Sequence, residues 1–108
     1  ADDINYEEKA AKKFLKPAAL EPLKLLAEKL ATAADFNEKN LEKVFLAVMD
    51  ETGLKLGKIA QPVRVALTGR TASPGIFEIV SILGRERVLP RLQKAIRFVE
   101  ERQGKIDK

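Results

Sequence analysis

The chain has 108 residues, 45% hydrophobic and 33% charged, with a net charge of +4. That length supports one domain with one core, and the balance excludes a disordered polar chain. It contains neither cysteine nor histidine, which excludes a disulfide framework, a thiol nucleophile, a Ser-His pair and the usual transition-metal clusters.

No apolar run approaches the roughly 20 residues that span a bilayer, and no signal peptide is visible at the start. A membrane is therefore not expected as a partner, and the absence of cysteine is compatible with a reducing cytoplasmic location. The sequence begins at Ala1 rather than Met, as expected of a fragment or a processed product. Charge is unevenly divided. Residues 1–53 hold 8 lysines and 11 acidic residues, a net of −3. Residues 54–108 hold 5 lysines, all 7 arginines and 5 acidic residues, a net of +7. Arginine's planar fork suits phosphates and base edges, so the basic half points toward nucleic acid. The same asymmetry also fits a basic half docked on an acidic one.

Taken in chain order, the first half is helical. Asn5 followed by Glu8 has capping-box spacing and opens a helix expected to reach about Leu15, where Pro17 ends it. Leu20, Leu23, Leu26 and Leu30 recur at helical spacing and predict a second helix to about Ala33. Asn37 can cap a third, whose apolar stripe is Leu41, Val44, Phe45 and Val48, and Gly53 sits where a left-handed C-cap belongs. The charged faces of these helices are most simply solvated.

The second half is less regular. Val63 to Leu67 alternates like a short strand, but nothing else offers that strand a partner, and its backbone would be left unpaired. A helix from about Leu56 to Leu67 is expected instead, with Pro62 inside it or dividing it in two. Ser73 and Pro74 predict a helix start, as N-cap and first helical residue, for a helix running to about Leu83. Its residues Ile76, Phe77, Ile79, Val80, Ile82 and Leu83 cover nearly every face, so it is expected to be the buried centre of the domain. After Gly84, a last helix from Arg85 to about Gln103 turns Val88, Leu92, Ile96 and Val99 inward, with Pro90 kinking it or restarting it.

Between two apolar segments lies QPVRVALTGRTASPGIF, residues 61–77. Between Glu51 and Glu86 the only acidic side chain is Glu78, so this stretch has no carboxylate pair and catalysis is not expected in it. Glu78 is expected to pair with a basic neighbour. The first N–H groups of a helix lack internal partners and carry partial positive charge. With Arg64, Arg70 and Thr71 beside them, they form a place for a phosphate or a base edge. A plain capped turn with exposed arginines remains the structural alternative. Likewise, Arg85-Glu86-Arg87 can form ion pairs within its own helix, and Tyr6, Phe14, Phe36, Phe45 and Phe77 are expected mostly in the core.

The string GKIAQPVRVALTGRTASPGIFEIVSILGRERVLPR, residues 57–91, closely resembles the C-terminal anticodon-binding region of bacterial-type glutamyl-tRNA synthetases. The resemblance is carried by Gln61-Pro62, Arg64, Ala66-Leu67-Thr68-Gly69, Ser73-Pro74-Gly75-Ile76-Phe77-Glu78 and Leu83-Gly84-Arg85-Glu86-Arg87. It implies an all-α fold, a compact helical cage or bundle of about five to seven helices, forming a single domain over residues 1–108. Scaffold helices would occupy about 5–53 and the RNA-reading part about 54–103. The implied partner is the anticodon loop of glutamate tRNA, with its first two anticodon bases unstacked and read by Gln61, Arg64, Ser73, Pro74, Gly75 and Ile76. The third base would be read by the region preceding this domain. From charge, we add Lys58, Arg70, Thr71, Arg85 and Arg87 as phosphate contacts.

Neither a nucleotide-binding fold nor the two ATP-site motifs of class I synthetases is present in these residues. The resemblance therefore implies a non-catalytic piece of a glutamate–tRNA ligase, working with the catalytic domain of the same chain. ATP and magnesium would belong to that domain, and no cofactor or metal is expected here. A monomer is expected, since one core accounts for the apolar stripes. Two other readings fit the composition: a stand-alone RNA-binding relative, and a protein-interaction domain with a basic docking face.

Overall fold

Six α-helices and one 3-10 turn form the molecule in the computed structural model, which describes residues 5–71 and 75–106. The elements are α1 (Glu8–Phe14), the 3-10 turn Pro17–Ala19, α2 (Leu20–Thr32), α3 (Glu38–Thr52), α4 (Leu56–Thr68), α5 (Ile76–Leu83) and α6 (Arg85–Ile106). No strand occurs among the described residues, and the Val63–Leu67 alternation lies inside α4.

The punctuation of the middle helices is as the sequence predicts. The Asn37 side chain accepts the Asn40 N–H at 2.8 Å, and Gly53 closes α3 in the left-handed conformation at φ 74°. The first helix differs: its N-cap is Glu7, with no side-chain bond, and Asn5 lies before it, exposed. Instead of a capping box, the start of α1 is tied by the Glu7 N–H to the Gly69 carbonyl at 2.7 Å. A tertiary bond thus takes the place of the local one. α5 begins at Ile76 with Gly75 as N-cap, while the predicted cap Ser73 and first residue Pro74 lie outside the described residues.

One apolar core joins all the helices. α2 contributes Leu23, Leu26 and Leu30, α3 contributes Leu41, Phe45 and Val48, and α6 contributes Val88, Leu92, Ile96 and Val99, all buried. The centre is α4, which packs against every other element. Its small side chains Ala60, Val63, Val65 and Ala66 are fully buried or nearly so and let neighbouring helices approach from several sides.

The expectation that α5 forms the centre is corrected. It has eight residues and lies at the edge, against α3, α4 and α6. Only Ile76 and Val80 are buried, one turn apart, while Ile82 is 71% exposed. An apolar surface on every side makes a helix buriable, but burial also needs neighbours on every side, and α5 lacks them. Glu78 is exposed, and neither ion pair among the described residues involves it. Among the five aromatics expected in the core, Phe45 alone is fully buried; Tyr6, Phe14, Phe36 and Phe77 are half-buried at the edge of the core.

Both interior prolines are carried without a break in the helix. Pro90 and Glu86, the residue whose carbonyl loses its helical donor, are both exposed, whereas Pro62 is buried. A carbonyl released toward water costs little, so α6 needs no restart. The α5–α6 junction is Gly84, at φ 77° and ψ 167°, a region open essentially to glycine alone.

Candidate nucleic-acid interface

From Ile59 to Gly69 every residue is buried except Gln61, Arg64 and Thr68. Their spacing of three and four places them in one stripe on α4. A helix otherwise enclosed in apolar contacts thus shows solvent one narrow polar seam.

Arg64 dominates that seam. A guanidinium has five N–H donors, and the single contact seen among the described residues is a long one, 3.4 Å from its Nη1 to the Gln61 Oε1. Its Nε is buried without a partner. The head group is therefore held against the protein while much of its hydrogen-bonding capacity remains available. Thr68 ends the seam. Its hydroxyl lies 2.8 Å from the Arg64 carbonyl and 3.0 Å from the Arg70 carbonyl, either of which it can donate to, and it accepts the Arg70 N–H at 3.1 Å. Gly69, at φ 81°, turns the chain out of the helix, and α6 closes the end by donating from Arg91 Nη1 to the Leu67 carbonyl at 2.8 Å. Two elements thus fix the point from which Arg70 and Thr71 project, both exposed.

Thr71 and Gln61 face one shallow hollow of about 260 Å³, shared with Lys9, Lys13 and Phe14 of α1. A second, of about 320 Å³, adjoins it through the same Lys13 and Phe14 and includes Lys58 and Lys16. Five predicted residues, Lys58, Gln61, Arg64, Arg70 and Thr71, therefore belong to α4 and its exit. Ser73 and Pro74 lie outside the described residues. Gly75 is exposed, whereas the Ile76 side chain is 4% exposed and points into the core. What Ile76 can offer a ligand is its backbone at the start of α5.

Arg85 and Arg87 stand beyond the other end of α5, about 12 Å away by helical rise. Arg87 is exposed. Arg85 is not similarly available: its Nε donates to the Leu30 carbonyl at 3.2 Å, its Nη2 to the Ala33 carbonyl, and its guanidinium lies 5.0 Å from the Phe36 ring centroid. It satisfies the C-terminus of α2, where a cation is favoured by the helix dipole.

Lysines from the acidic half escaped the sequence reading. Lys9, Lys13 and Lys16 follow one another at spacings of four and three, a pattern present in KAAKKFLK, but their proximity to α4 is set only by packing. Among the described residues no cluster of acidic groups could hold a metal ion, and no helix is long and apolar enough to cross a membrane.

A polar seam with an underused arginine, beside hollows lined largely by lysines, gathers the donors and cations that RNA-binding surfaces use. A family profile described as an anticodon binding domain matches residues 1–96, and the chain belongs to that family. It is 50% identical over 103 residues to a glutamate–tRNA ligase of Syntrophobacter fumaroxidans, covering 95% of this chain and 22% of that protein. It is 54% identical over 100 residues to a glutamate–tRNA ligase of Desulfosudis oleivorans, covering 93% and 21%. Among solved structures, a glutamate tRNA ligase from Elizabethkingia meningosepticum in complex with its amino acid superposes with a TM-score of 0.81 at 26% identity, over 88% of this chain and 19% of that one. The chain thus spans about a fifth of the length of these relatives.

Proposed function

We propose that this chain is the anticodon-loop reader of a glutamate–tRNA ligase. The observation that carries the reading is the Gln61–Arg64–Thr68 seam, the sole break in the buried surface of α4 from Ile59 to Gly69. Arg64 reads a splayed anticodon base through its in-plane donors, with Gln61 beside it holding both an acceptor and donors for a second edge. The backbone from Ser73 to Ile76 contacts the neighbouring base. Lys58, Arg70, Thr71 and Arg87 hold phosphates. Arg85 acts by fixing α2 against α6, which sets the platform on which the others stand.

The chemistry of ligation would reside in the remaining four-fifths of a protein like these relatives, with ATP and magnesium bound there and no cofactor in this domain. This domain, cytoplasmic and monomeric, would hold glutamate tRNA so that its acceptor end reaches that catalytic domain. The test is titration of the chain with a glutamate-tRNA anticodon stem-loop and with a copy changed at the first two anticodon bases, at two salt concentrations. Tighter binding of the authentic loop at both salts is expected. Equal, salt-sensitive binding of both would reduce the face to a nonspecific basic surface.

A further inference from the structure

The larger hollow between α1 and the start of α4 has a distinct composition. Phe14, Ala18, Leu54 and Pro62 form apolar walls, Lys13, Lys16 and Lys58 supply cations, and no acidic side chain lines it. Its volume of about 320 Å³ lies at the low end of the range of small-molecule sites. Sequence accounts for the space: Ala18 and Ala19 are short, Gly57 has no side chain, and a Cβ built on Gly57 would meet nothing within 4 Å. The Phe14 ring is half-buried, and the Lys13 ammonium stands 5.3 Å from its centroid.

We infer that this hollow is a stacking subsite for one further unpaired nucleotide of the same RNA loop, outside the two bases assigned to Arg64 and the 73–76 turn. An aromatic wall flanked by cations is an arrangement by which proteins hold single-stranded nucleotides without reading their identity. The base lies against Phe14 and Pro62, and its phosphates meet Lys13, Lys16 and Lys58. Continuity supports the occupant, since Phe14 and Lys13 also line the hollow that contains Gln61 and Thr71. Lys58 precedes Gln61 by one helical turn, about 5 Å along α4. Charge complementarity favours a polyanion over an apolar peptide. The inference rests on the anticodon-loop reading above.

The experiment titrates the 108-residue chain and its Phe14→Leu, Phe14→Tyr and Lys58→Ala variants with the glutamate anticodon stem-loop. It also uses loops carrying one abasic nucleotide at each position in turn. Phe14→Leu is expected to weaken binding about fivefold or more while leaving preference at the first two anticodon bases intact, and Phe14→Tyr to restore it. One abasic position outside those two should reproduce the loss in the unmodified chain and add nothing in Phe14→Leu. Wild-type affinity of Phe14→Leu, or abasic losses that add to it at every position, would overturn the subsite. Should Phe14→Leu unfold in a parallel thermal melt, Lys58→Ala decides through the abasic series: a loss that fails to add to that of one abasic position outside the first two anticodon bases supports the subsite, and losses that add at every position overturn it. A chain that shows the Phe14–abasic coupling but no anticodon preference would sink the anticodon reading alone.

Discussion

On the proposed reading, base recognition turns on Arg64. Replacing it with alanine should then cost about 1–3 kcal/mol of RNA binding, with relaxed preference among loops altered at the first two anticodon positions. Competition binding with those loops measures both effects, and an intact preference would move the reading role elsewhere. Folding stability should change little, because the guanidinium makes only the long Gln61 contact among the described residues. Tyr6 makes the opposite case. Its hydroxyl is buried without a partner and packs beside Phe98, with ring centroids 5.0 Å apart, under the Lys94 ammonium. Burial pushes its phenol up to about 12 from 10.0, against a smaller lowering by Arg97. The folded protein therefore holds this proton more tightly than the unfolded chain does, and its contribution is complete below pH 10. Between pH 10 and about 12 the unfolded chain releases the proton first, so stability falls as pH rises through that window. Tyr6→Phe should abolish that component and, by removing an unsatisfied buried group, raise stability at neutral pH by about 1 kcal/mol. Denaturant melts of both proteins at pH 7, 10 and 11 make the comparison. Sequence could name Arg64, through its setting in QPVR, but not the burial of its Nε or of the Tyr6 hydroxyl, which depends on what packs over them.

At the scale of elements, the start and stop of α3 were legible because their signals act locally. Asn37 and Gly53 act within one turn of α3, and both behave as their side chains dictate. The start of α1 was misread because the bond that satisfies it comes from Gly69, some sixty residues away. The position of α5 was misread because its composition records affinity for a core without recording its neighbours. Arg85 belongs to this scale as well. Sequence placed it in the first turn of α6, where its charge opposes the helix dipole, and the resolution is that it caps α2 instead. Arg85→Ala should destabilise the fold by about 2 kcal/mol, as expected when hydrogen bonds from a charged donor are lost. The folded variant should keep the salt dependence of RNA binding. Thermal unfolding together with a salt titration distinguishes this from a phosphate contact, which would show little loss of stability and a shallower slope.

For the whole molecule, the excess of +7 over residues 54–108 predicts a salt-dependent association. If three to four cations among Lys58, Arg70, Arg87 and the α1 lysines meet phosphates, the logarithm of the binding constant should fall against that of salt concentration with a slope of about −2 to −3. Arg70→Ala should flatten the slope by about 0.7 and weaken all loop sequences alike. A salt-independent constant would place the binding energy elsewhere. The division into acidic and basic halves holds only in part, because α1 brings Lys9 and Lys13, and the cap of the 3-10 turn brings Lys16, to the hollows beside α4. The sequence by itself determined an all-helical single core, the boundaries of α2 and α3, the family, and Gln61 with Arg64 as candidate contacts. These follow from periodicity, from caps acting within a turn, and from a dense motif. That Pro62 leaves Gln61 and Arg64 on one unbroken helix came from the structure. Only the tertiary structure decided that α4 rather than α5 is central, that Arg85 serves α2, and that Lys9 and Lys13 of α1 line the hollows beside α4. Each of those depends on which surfaces meet, and contacts between distant segments are fixed by packing the whole core at once.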